Sequence, residues 1–176
     1  MTVTVRKAQP GDAAVIALLG RLTFCETFGP LFLGHDAELQ AYLDQTFSVA
    51  KIASSIAKPE NHYWLSLLDD LPIGYAKLKR PSANTLVDDP APAQLQKIYI
   101  LAEFLGHGIG NDLMDAVMTE ARAGGVGQVW LTVLDANDRA IRFYLRHGWT
   151  RAGTAQFAIG TQAFSFLVLK TMVTRS

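Results

Sequence analysis

The stretch EFLGHGIGNDLM, residues 103–114, places three glycines at alternate positions directly before a run with the pattern of a helix. A helix that begins near Ile109 leaves its first backbone N–H groups unpaired at the positive end of the helix dipole. Glycines just before such a helix allow positive φ angles and let a phosphate approach bare backbone. The stretch therefore predicts either an anion-binding loop or a glycine-rich tight turn.

Two familiar phosphate-binding loops do not fit this stretch. A Rossmann fingerprint needs Gly-x-Gly-x-x-Gly and an acidic residue about 20 positions later. Here the third glycine comes one residue early, and position 130 is a tryptophan. A P-loop needs Lys-Ser or Lys-Thr after its last glycine, whereas Asn111 and Asp112 follow here. Both alternatives are excluded.

The segments around the glycines predict an α/β domain. The loop joins a strand over 94–101 to an amphipathic helix that ends at Gly124-Gly125, and an apolar strand over 129–134 completes a βαβ unit. Strands are also predicted over 3–8, 62–68, 73–79, 149–159 and 163–172, and helices from Asp12, over 36–46, 49–57 and 138–146. This order predicts one domain, residues 1–176, with a mixed, mostly antiparallel seven-stranded sheet and helices on both faces.

Composition narrows the class of protein. The 176 residues are 49% apolar and 18% charged, which is typical of a folded globular chain. Sixteen basic residues balance sixteen acidic ones without a basic run, so nucleic acid and anionic membrane are not expected partners. A single cysteine, Cys25, excludes an internal disulfide, and the histidines lack ligand spacing, so no metal is expected. We expect no membrane span and no signal peptide, and hence a cytoplasmic protein.

Two blocks resemble one enzyme family. The block IYILAEFLGHGIGNDLM is followed by VWLTVLDANDRAIRFYLRHGW, in which Asn137, Ala140, Tyr144, Gly148 and Trp149 have the family's spacing. Together they are similar to the acyl-CoA-binding core of the Gcn5-related N-acetyltransferases, the GNAT superfamily. The resemblance covers residues 95–149 closely and implies the GNAT fold, with acetyl-CoA as the acyl donor.

The resemblance also implies a set of coenzyme-binding residues. In relatives, main-chain groups of the fourth strand hold pantetheine and polarise the thioester carbonyl, and the glycine loop binds the diphosphate. Asn137 either contacts the pantetheine arm or caps its helix, or does both. The implied coenzyme-binding residues are Ile98, Tyr99, Ile100, Leu105, Gly106, His107, Gly108, Ile109, Gly110, Asn137 and Tyr144.

Leu105 departs from the family pattern, which has Gln or Arg there. A leucine side chain cannot donate a hydrogen bond to the diphosphate, so the backbone amides of residues 106–110 are expected to carry most of the recognition. Coenzyme binding should then be weaker or more salt-sensitive than in Arg-bearing relatives, unless His107 or another cation compensates.

Tyr144 matches the tyrosine that protonates the leaving thiolate in the family, and we predict that it is the catalytic residue. It also falls on the apolar face of its helix with Ala140, Ile141 and Leu145, which predicts a core aromatic. Both roles are compatible, because a tyrosine ring can pack while its hydroxyl points into a site. The fourth strand offers Gln96 and Lys97 where relatives often carry a glutamate, so the general base stays unassigned.

The acceptor is the least determined part of the site. Residues 24–48, 62–78 and 94–101 resemble the bacterial polyamine N-acetyltransferase branch, which implies a small polyamine-like amine. In the family the first two helices help to shape the acceptor pocket, so Phe24, Glu26, Phe28 and Tyr42 are candidates. Protein, peptide or antibiotic amines, and a non-catalytic acyl-CoA-binding module, remain alternatives. A homodimer is compatible with a sheet that leaves an edge strand open.

Overall fold

The structure, a computed structural model, describes residues 2–174. The strands are β1 (Val3–Lys7), β2 (Asn61–Leu68), β3 (Leu71–Lys79), β4 (Ala93–Ile100), β5 (Gln128–Leu134), β6 (Thr150–Ile159) and β7 (Gln162–Met172). The helices are α1 (Ala13–Phe28), α2 (Asp36–Thr46), α3 (Val49–Ile56), α4 (Ile109–Ala123) and α5 (Asp138–Arg146). Short 3-10 turns cover Pro10–Asp12, Gly29–Phe32 and Ala102–Phe104.

The strands form one seven-stranded sheet in the order β1-β2-β3-β4-β5-β7-β6. Every neighbouring pair is antiparallel except β4 and β5, which are parallel because α4 crosses between them. The tight β2–β3 hairpin turns through Asp69 and Asp70, both at positive φ, as a two-residue hairpin loop requires. The predicted fold class, a mixed and mostly antiparallel sheet with helices, is confirmed.

Helices cover both faces of the sheet and create two cores. On one face, α4 and α5 pack against β3, β4 and β5 through residues that include Leu113, Val117 and Ile141. On the other face, α1, α2 and α3 pack against β2 and β3 through residues that include Phe47 and Tyr75. The sheet therefore stands between two hydrophobic layers, each of which removes a large apolar area from water.

One segment is apolar enough to resemble a membrane span. Residues Pro10–Phe32, which contain α1 and its flanking turns, form a 23-residue helical stretch with a mean hydropathy of 1.4. Length and composition alone bring this segment to notice, which is weak evidence for a span. Eight of the sixteen residues of α1 are buried against the rest of the domain, and a core helix meets the same test.

The feature that positions the site is the gap between β4 and β5. Their parallel pairing consists of Ala93 with Val129 and Gln94 with Trp130, after which the described strands diverge. A β-bulge at Gln96 shifts the register between β3 and β4 at the same point, since Lys77 pairs with Lys97 and Leu78 with Leu95. Beyond the bulge, β4 is paired only with β3, and its other edge faces the gap.

Candidate active site

The glycine loop lies at the end of β4, where the gap opens. Gly106 and Gly108 have φ angles of +88° and +82°, in the left-handed region that favours glycine. Gly108 is the N-cap of α4 and has no side-chain cap, and a Cβ placed on it would meet nothing within 4 Å. The loop therefore presents exposed backbone, at positive φ, in front of a helix N-terminus.

The amides of this loop are available to a ligand. Within residues 2–174, the N–H groups of residues 106–110 donate to no protein acceptor, whereas Asn111 and Asp112 already donate to the Gly108 carbonyl. Five consecutive free donors at the positive end of a 15-residue helix fit a diphosphate group. One feature is unfavourable to a bound anion, namely the exposed carboxylate of Asp112 in the first turn of α4.

Gly110 has a different reason to be glycine. A Cβ at this position would lie 3.2 Å from two ring carbons of Phe143 on α5 and 3.6 Å from Cδ1 of Ile100 on β4. The absence of a side chain lets α4 and α5 approach each other closely. The three glycines thus combine two backbone requirements at Gly106 and Gly108 with one packing requirement at Gly110.

Arg139 is a residue that the sequence did not single out. Its Nη2 atom lies 3.7 Å from the position that a Cβ on Gly106 would occupy. The side chain is exposed and forms no ion pair with another described residue. Arg139 therefore places a guanidinium beside the loop from which the family cation is missing at Leu105. His107, the compensating cation that the sequence suggested, has its Nδ1 atom 3.2 Å from the Phe104 carbonyl oxygen.

Tyr144 lies in the wall of the core beside β4. Its ring packs edge-on against Phe143 and Trp149, with centroids 5.4 and 5.7 Å away. Burial raises the pKa of its phenol far above the ordinary value, and the neighbouring Tyr99 adds to the shift. The hydroxyl has no hydrogen-bond partner among the described residues. Tyr144 thus keeps its proton at physiological pH, and its O–H group is free to donate.

The other predicted coenzyme contacts have definite positions. Ile98, Tyr99 and Ile100 are half-buried on β4, and their main chain borders the gap on the side away from β3. Leu105 is half-buried, and Ile109 is buried as the first residue of α4, so the Ile109 side chain anchors the start of the helix in the core. These residues line the gap together with the glycine loop.

Asn137 acts as a helix cap. Its Oδ1 atom accepts a hydrogen bond from the amide of Ala140 at 3.1 Å, which stabilises the start of α5. Of the two roles predicted for Asn137, the structure therefore contains the helix cap. The side-chain amide nitrogen has no protein partner among residues 2–174, so a contact with the pantetheine arm stays a prediction.

The candidate acceptor residues on α1 and α2 are mostly packed together. Phe24 and Phe28 are buried and stack with their centroids 4.4 Å apart, and Tyr42 lies 4.8 Å from Phe24. Glu26 accepts a hydrogen bond from the amide of Ala102 at 3.1 Å, which ties α1 to the turn after β4. These contacts give all four residues a structural role, and their contact with an acceptor stays a prediction.

Comparisons with known proteins agree with this architecture. Residues 25–149 match the Acetyltransferase (GNAT) family. An uncharacterised N-acetyltransferase of Lactobacillus delbrueckii subsp. lactis is 27% identical over 97% of this chain and 98% of its own. An uncharacterised N-acetyltransferase of Mycobacterium tuberculosis is 31% identical over 69% of this chain and 74% of its own.

Solved structures share the fold. The PaiA N-acetyltransferase of Thermoplasma acidophilum, in complex with coenzyme A, superposes with a TM-score of 0.75 at 16% identity, over 98% of this chain and 99% of that one. YncA of Salmonella typhimurium, with acetyl-CoA, gives 0.75 at 15% identity, over 100% of this chain and 96% of that one. The chain belongs to the GNAT acetyltransferase family. It is an N-acetyltransferase, an enzyme class that takes its acyl group from acetyl-CoA.

A positive charge introduced at position 105 should tighten the binding of acetyl-CoA, and the size of this gain should depend on whether Arg139 is present. We expect Leu105→Arg to lower the Kd for acetyl-CoA about two- to fivefold, since an exposed ion pair contributes up to about 1 kcal/mol. In an Arg139→Gln background the gain should be larger, because that variant lacks the guanidinium that we expect to bind the diphosphate. Isothermal titration at two salt concentrations measures both effects.

The control for net charge is Leu33→Arg, at an exposed leucine on the connection between α1 and α2. It should leave the Kd for acetyl-CoA unchanged. Equal affinity with and without Leu105→Arg, in both backgrounds, would show that a side chain at position 105 does not reach the diphosphate; equal affinity in Arg139→Gln and the wild type would show the same for Arg139.

Proposed function

We propose that the protein transfers the acetyl group of acetyl-CoA to a primary amine of a small molecule, by direct attack in a ternary complex. The observation that carries this proposal is the open edge of β4, which has five free amides at its end and the phenol of Tyr144 beside it. In this proposal, a binding region for an extended, anionic thioester and a proton donor for its sulfur share one gap in the sheet.

Each part of the site has its own role in the proposed transfer. The bound thioester supplies an activated acetyl group. The loop amides of residues 106–110 hold its diphosphate, with Arg139 as the nearby cation. Main-chain groups of residues 98–100 hold the pantetheine arm and polarise the carbonyl oxygen as negative charge develops. The amine nitrogen forms a bond to the carbonyl carbon and the carbon–sulfur bond breaks. Tyr144 donates its proton to the departing sulfur and regains one through water, to which the amine releases its own.

The attacking amine must lose a proton, because a free primary amine has a pKa near about 10.4. Gln96 and Lys97 occupy the positions on β4 where relatives often carry a carboxylate. Gln96 donates to the Oε1 atom of Gln94 at 3.0 Å, and Lys97 lies 3.4 Å from the hydroxyl of Tyr99. Proton release through water from the open gap requires no dedicated base, and we assign none.

The resemblance to the polyamine branch supports a polyamine-like acceptor, which would need carboxylates near its ammonium groups. Two candidate carboxylates already accept hydrogen bonds within the protein. Glu26 accepts from the Ala102 amide, and Glu38 accepts from the amide and the hydroxyl of Thr161 at 2.9 and 2.7 Å. We further propose a cytoplasmic enzyme and, through the exposed edge strands β1 or β6, a homodimer.

A thiol-release assay tests the proposed transfer. Acetyl-CoA is incubated with polyamines, amino acids, aminoglycosides and peptides beside a titration of coenzyme binding. We expect saturable binding of acetyl-CoA and thiol release with at least one small amine. Binding without turnover of any amine would indicate a non-catalytic acyl-CoA-binding module, and turnover of peptides alone would move the acceptor to a protein.

A further inference from the structure

A cavity of about 160 Å³ opens between α3 and the sheet, on the same face as Lys97 and Tyr99. Its walls include four lysines, two from the α3 region and two from β3, and the bulged residue Gln96 of β4; the lysines are Lys51, Lys58, Lys77 and Lys79. We call this feature the lysine cavity. One acidic residue, Glu60, also lines it.

The lysines of the lysine cavity outnumber its one carboxylate and form no ion pair with the described residues. Within residues 2–174, none of its four lysines lies within 4 Å of a carboxylate oxygen. On the opposite face, by contrast, Glu120 alone receives Lys7 at 2.7 Å and Arg80 at 2.8 Å. Lysines that are clustered without carboxylate partners repel one another, so an anion placed among them would relieve the repulsion.

Lys77 is half-buried at the sheet side of the lysine cavity. Burial, and then the charges of Lys97, Lys79, Lys51 and Lys58, lower its pKa to about 8. Lys97 lies directly across from it in the β3–β4 ladder, and the ring of Tyr63 lies 5.4 Å from the Lys77 ammonium. Below pH 8 Lys77 is cationic and can bind an anion, and above pH 8 it loses that charge.

The walls of the lysine cavity are held in place by neutral hydrogen bonds. Ser55 of α3 shares a hydrogen bond of 2.7 Å with the hydroxyl of Tyr63 on β2. The side-chain amide of Asn61 donates to the backbone oxygen and to the hydroxyl of the same serine, at 2.9 and 3.0 Å. These bonds join α3 to β2 without using any lysine, which leaves the cations free for a ligand.

The lysine cavity lies close to the proposed site of acetyl transfer. Gln96 precedes Ile98 by two residues on β4, a distance of about 7 Å along a strand. From the neighbouring Lys97, a contact of 3.4 Å leads to the hydroxyl of Tyr99, which belongs to the segment of β4 that borders the gap. A ligand of a few bonds could therefore place one end among the lysines and the other at the gap.

We propose that the lysine cavity binds an anionic group on the acceptor, so that the preferred acceptor is a small amine that also carries a carboxylate or a phosphate. The proposal rests on the proposed acetyl transfer and replaces the polyamine-like acceptor. The charge arrangement supports this choice, because a second ammonium group would meet four like charges and one carboxylate in the lysine cavity.

Three amines of equal chain length test the proposal: 6-aminohexanoate, 6-aminohexanamide and hexane-1,6-diamine, whose far ends are negative, neutral and positive. We expect kcat/KM to be at least about tenfold higher for the carboxylate than for the amide, and lowest for the diamine. The preference should fall as the pH rises through 8. O-phosphoethanolamine against ethanolamine, and 3-aminopropyl phosphate against 3-aminopropanol, show whether a phosphate is preferred to a neutral end group as well.

Lys77→Gln, and Lys58→Gln at an exposed position, should reduce the preference for the carboxylate severalfold while the Kd for acetyl-CoA stays unchanged. Lys170→Gln, on β7, is the control for the same loss of charge away from the lysine cavity. Preference for the diamine, or an unchanged preference in both cavity variants, overturns the proposal while leaving the proposed transfer intact.

Binding of the reaction product gives an arm that does not depend on turnover. 6-Acetamidohexanoate should raise the Tm of the wild type more than 6-acetamidohexanamide does, and Lys77→Gln should abolish the difference. If no amine is acetylated but this difference is seen, the lysine cavity stands as an anion site and the proposed transfer fails. No difference between the two compounds overturns the lysine cavity as an anion site.

Discussion

Tyr144→Phe should lower kcat by about ten- to a thousandfold and leave the fold intact. The substitution removes one oxygen from a phenol that has no protein hydrogen-bond partner among the described residues, and it keeps the ring that packs on Phe143 and Trp149. The departing sulfur then has to leave as a free thiolate or take its proton from water. Single-turnover measurement of thiol release reads the chemical step directly.

If Tyr144 acts as the proton donor, its substitution should change the chemical step alone. The Kd for acetyl-CoA and the Tm should be unchanged in Tyr144→Phe, because the ring contacts remain. Tyr75→Phe is the matched control, since Tyr75 is also a buried tyrosine but belongs to the core on the α1–α3 face. Full activity in Tyr144→Phe, or an equal loss in both variants, would remove Tyr144 from the mechanism.

Gly108→Ala should weaken acetyl-CoA binding by at least about tenfold, which corresponds to about 1.4 kcal/mol. The added methyl group would project into the open space before the helix N-terminus, where we propose that the diphosphate binds the loop amides. The φ of +82° also disfavours alanine, at a cost of about 1 kcal/mol or more in the free energy of unfolding. Titration of acetyl-CoA and thermal unfolding separate the two effects.

The matched control for backbone strain is Gly125→Ala. Gly125 has a φ of +70°, a Cβ on it would meet nothing within 4 Å, and it follows α4 at the end away from the loop. It should lose similar stability without any change in the Kd for acetyl-CoA. If both alanines left coenzyme binding intact, the loop would be an ordinary turn and the diphosphate would bind elsewhere.

Local patterns predicted the fold well where one face of an element is clearly apolar. The predicted bounds of α2, residues 36–46, and of α5, residues 138–146, agree with the structure. Leu145 was wrongly predicted to face the core and is 42% exposed. On α1 the apolar residues surround the helix, so periodicity could not show that Leu18 and Leu22 would be exposed while Ile16 is buried.

The charged parts of the site could not be predicted in the same way. Arg139 lies on the polar face of α5 with Arg142 and Arg146, and sequence alone gives no reason to prefer one of the three. Only the approach of α5 to the glycine loop, made close by Gly110 and Phe143, brings Arg139 next to Gly106. The lysines of the lysine cavity come from α3, the turn that follows it, and β3, and tertiary packing alone unites them.

Because β4 and β5 diverge early, the free energy of unfolding of this enzyme should depend on the concentration of the ligand that fills the gap. The parallel ladder that should join the two halves of the sheet contributes two residue pairs, so fewer main-chain bonds hold β1–β4 to β5–β7 than in a closed sheet. Any ligand that fills the gap in the native state adds RT ln(1 + [L]/Kd) to the free energy of unfolding, about 2.7 kcal/mol at a hundredfold excess over Kd. The resistance of the enzyme to heat and proteolysis should therefore follow the cellular supply of acyl-CoA.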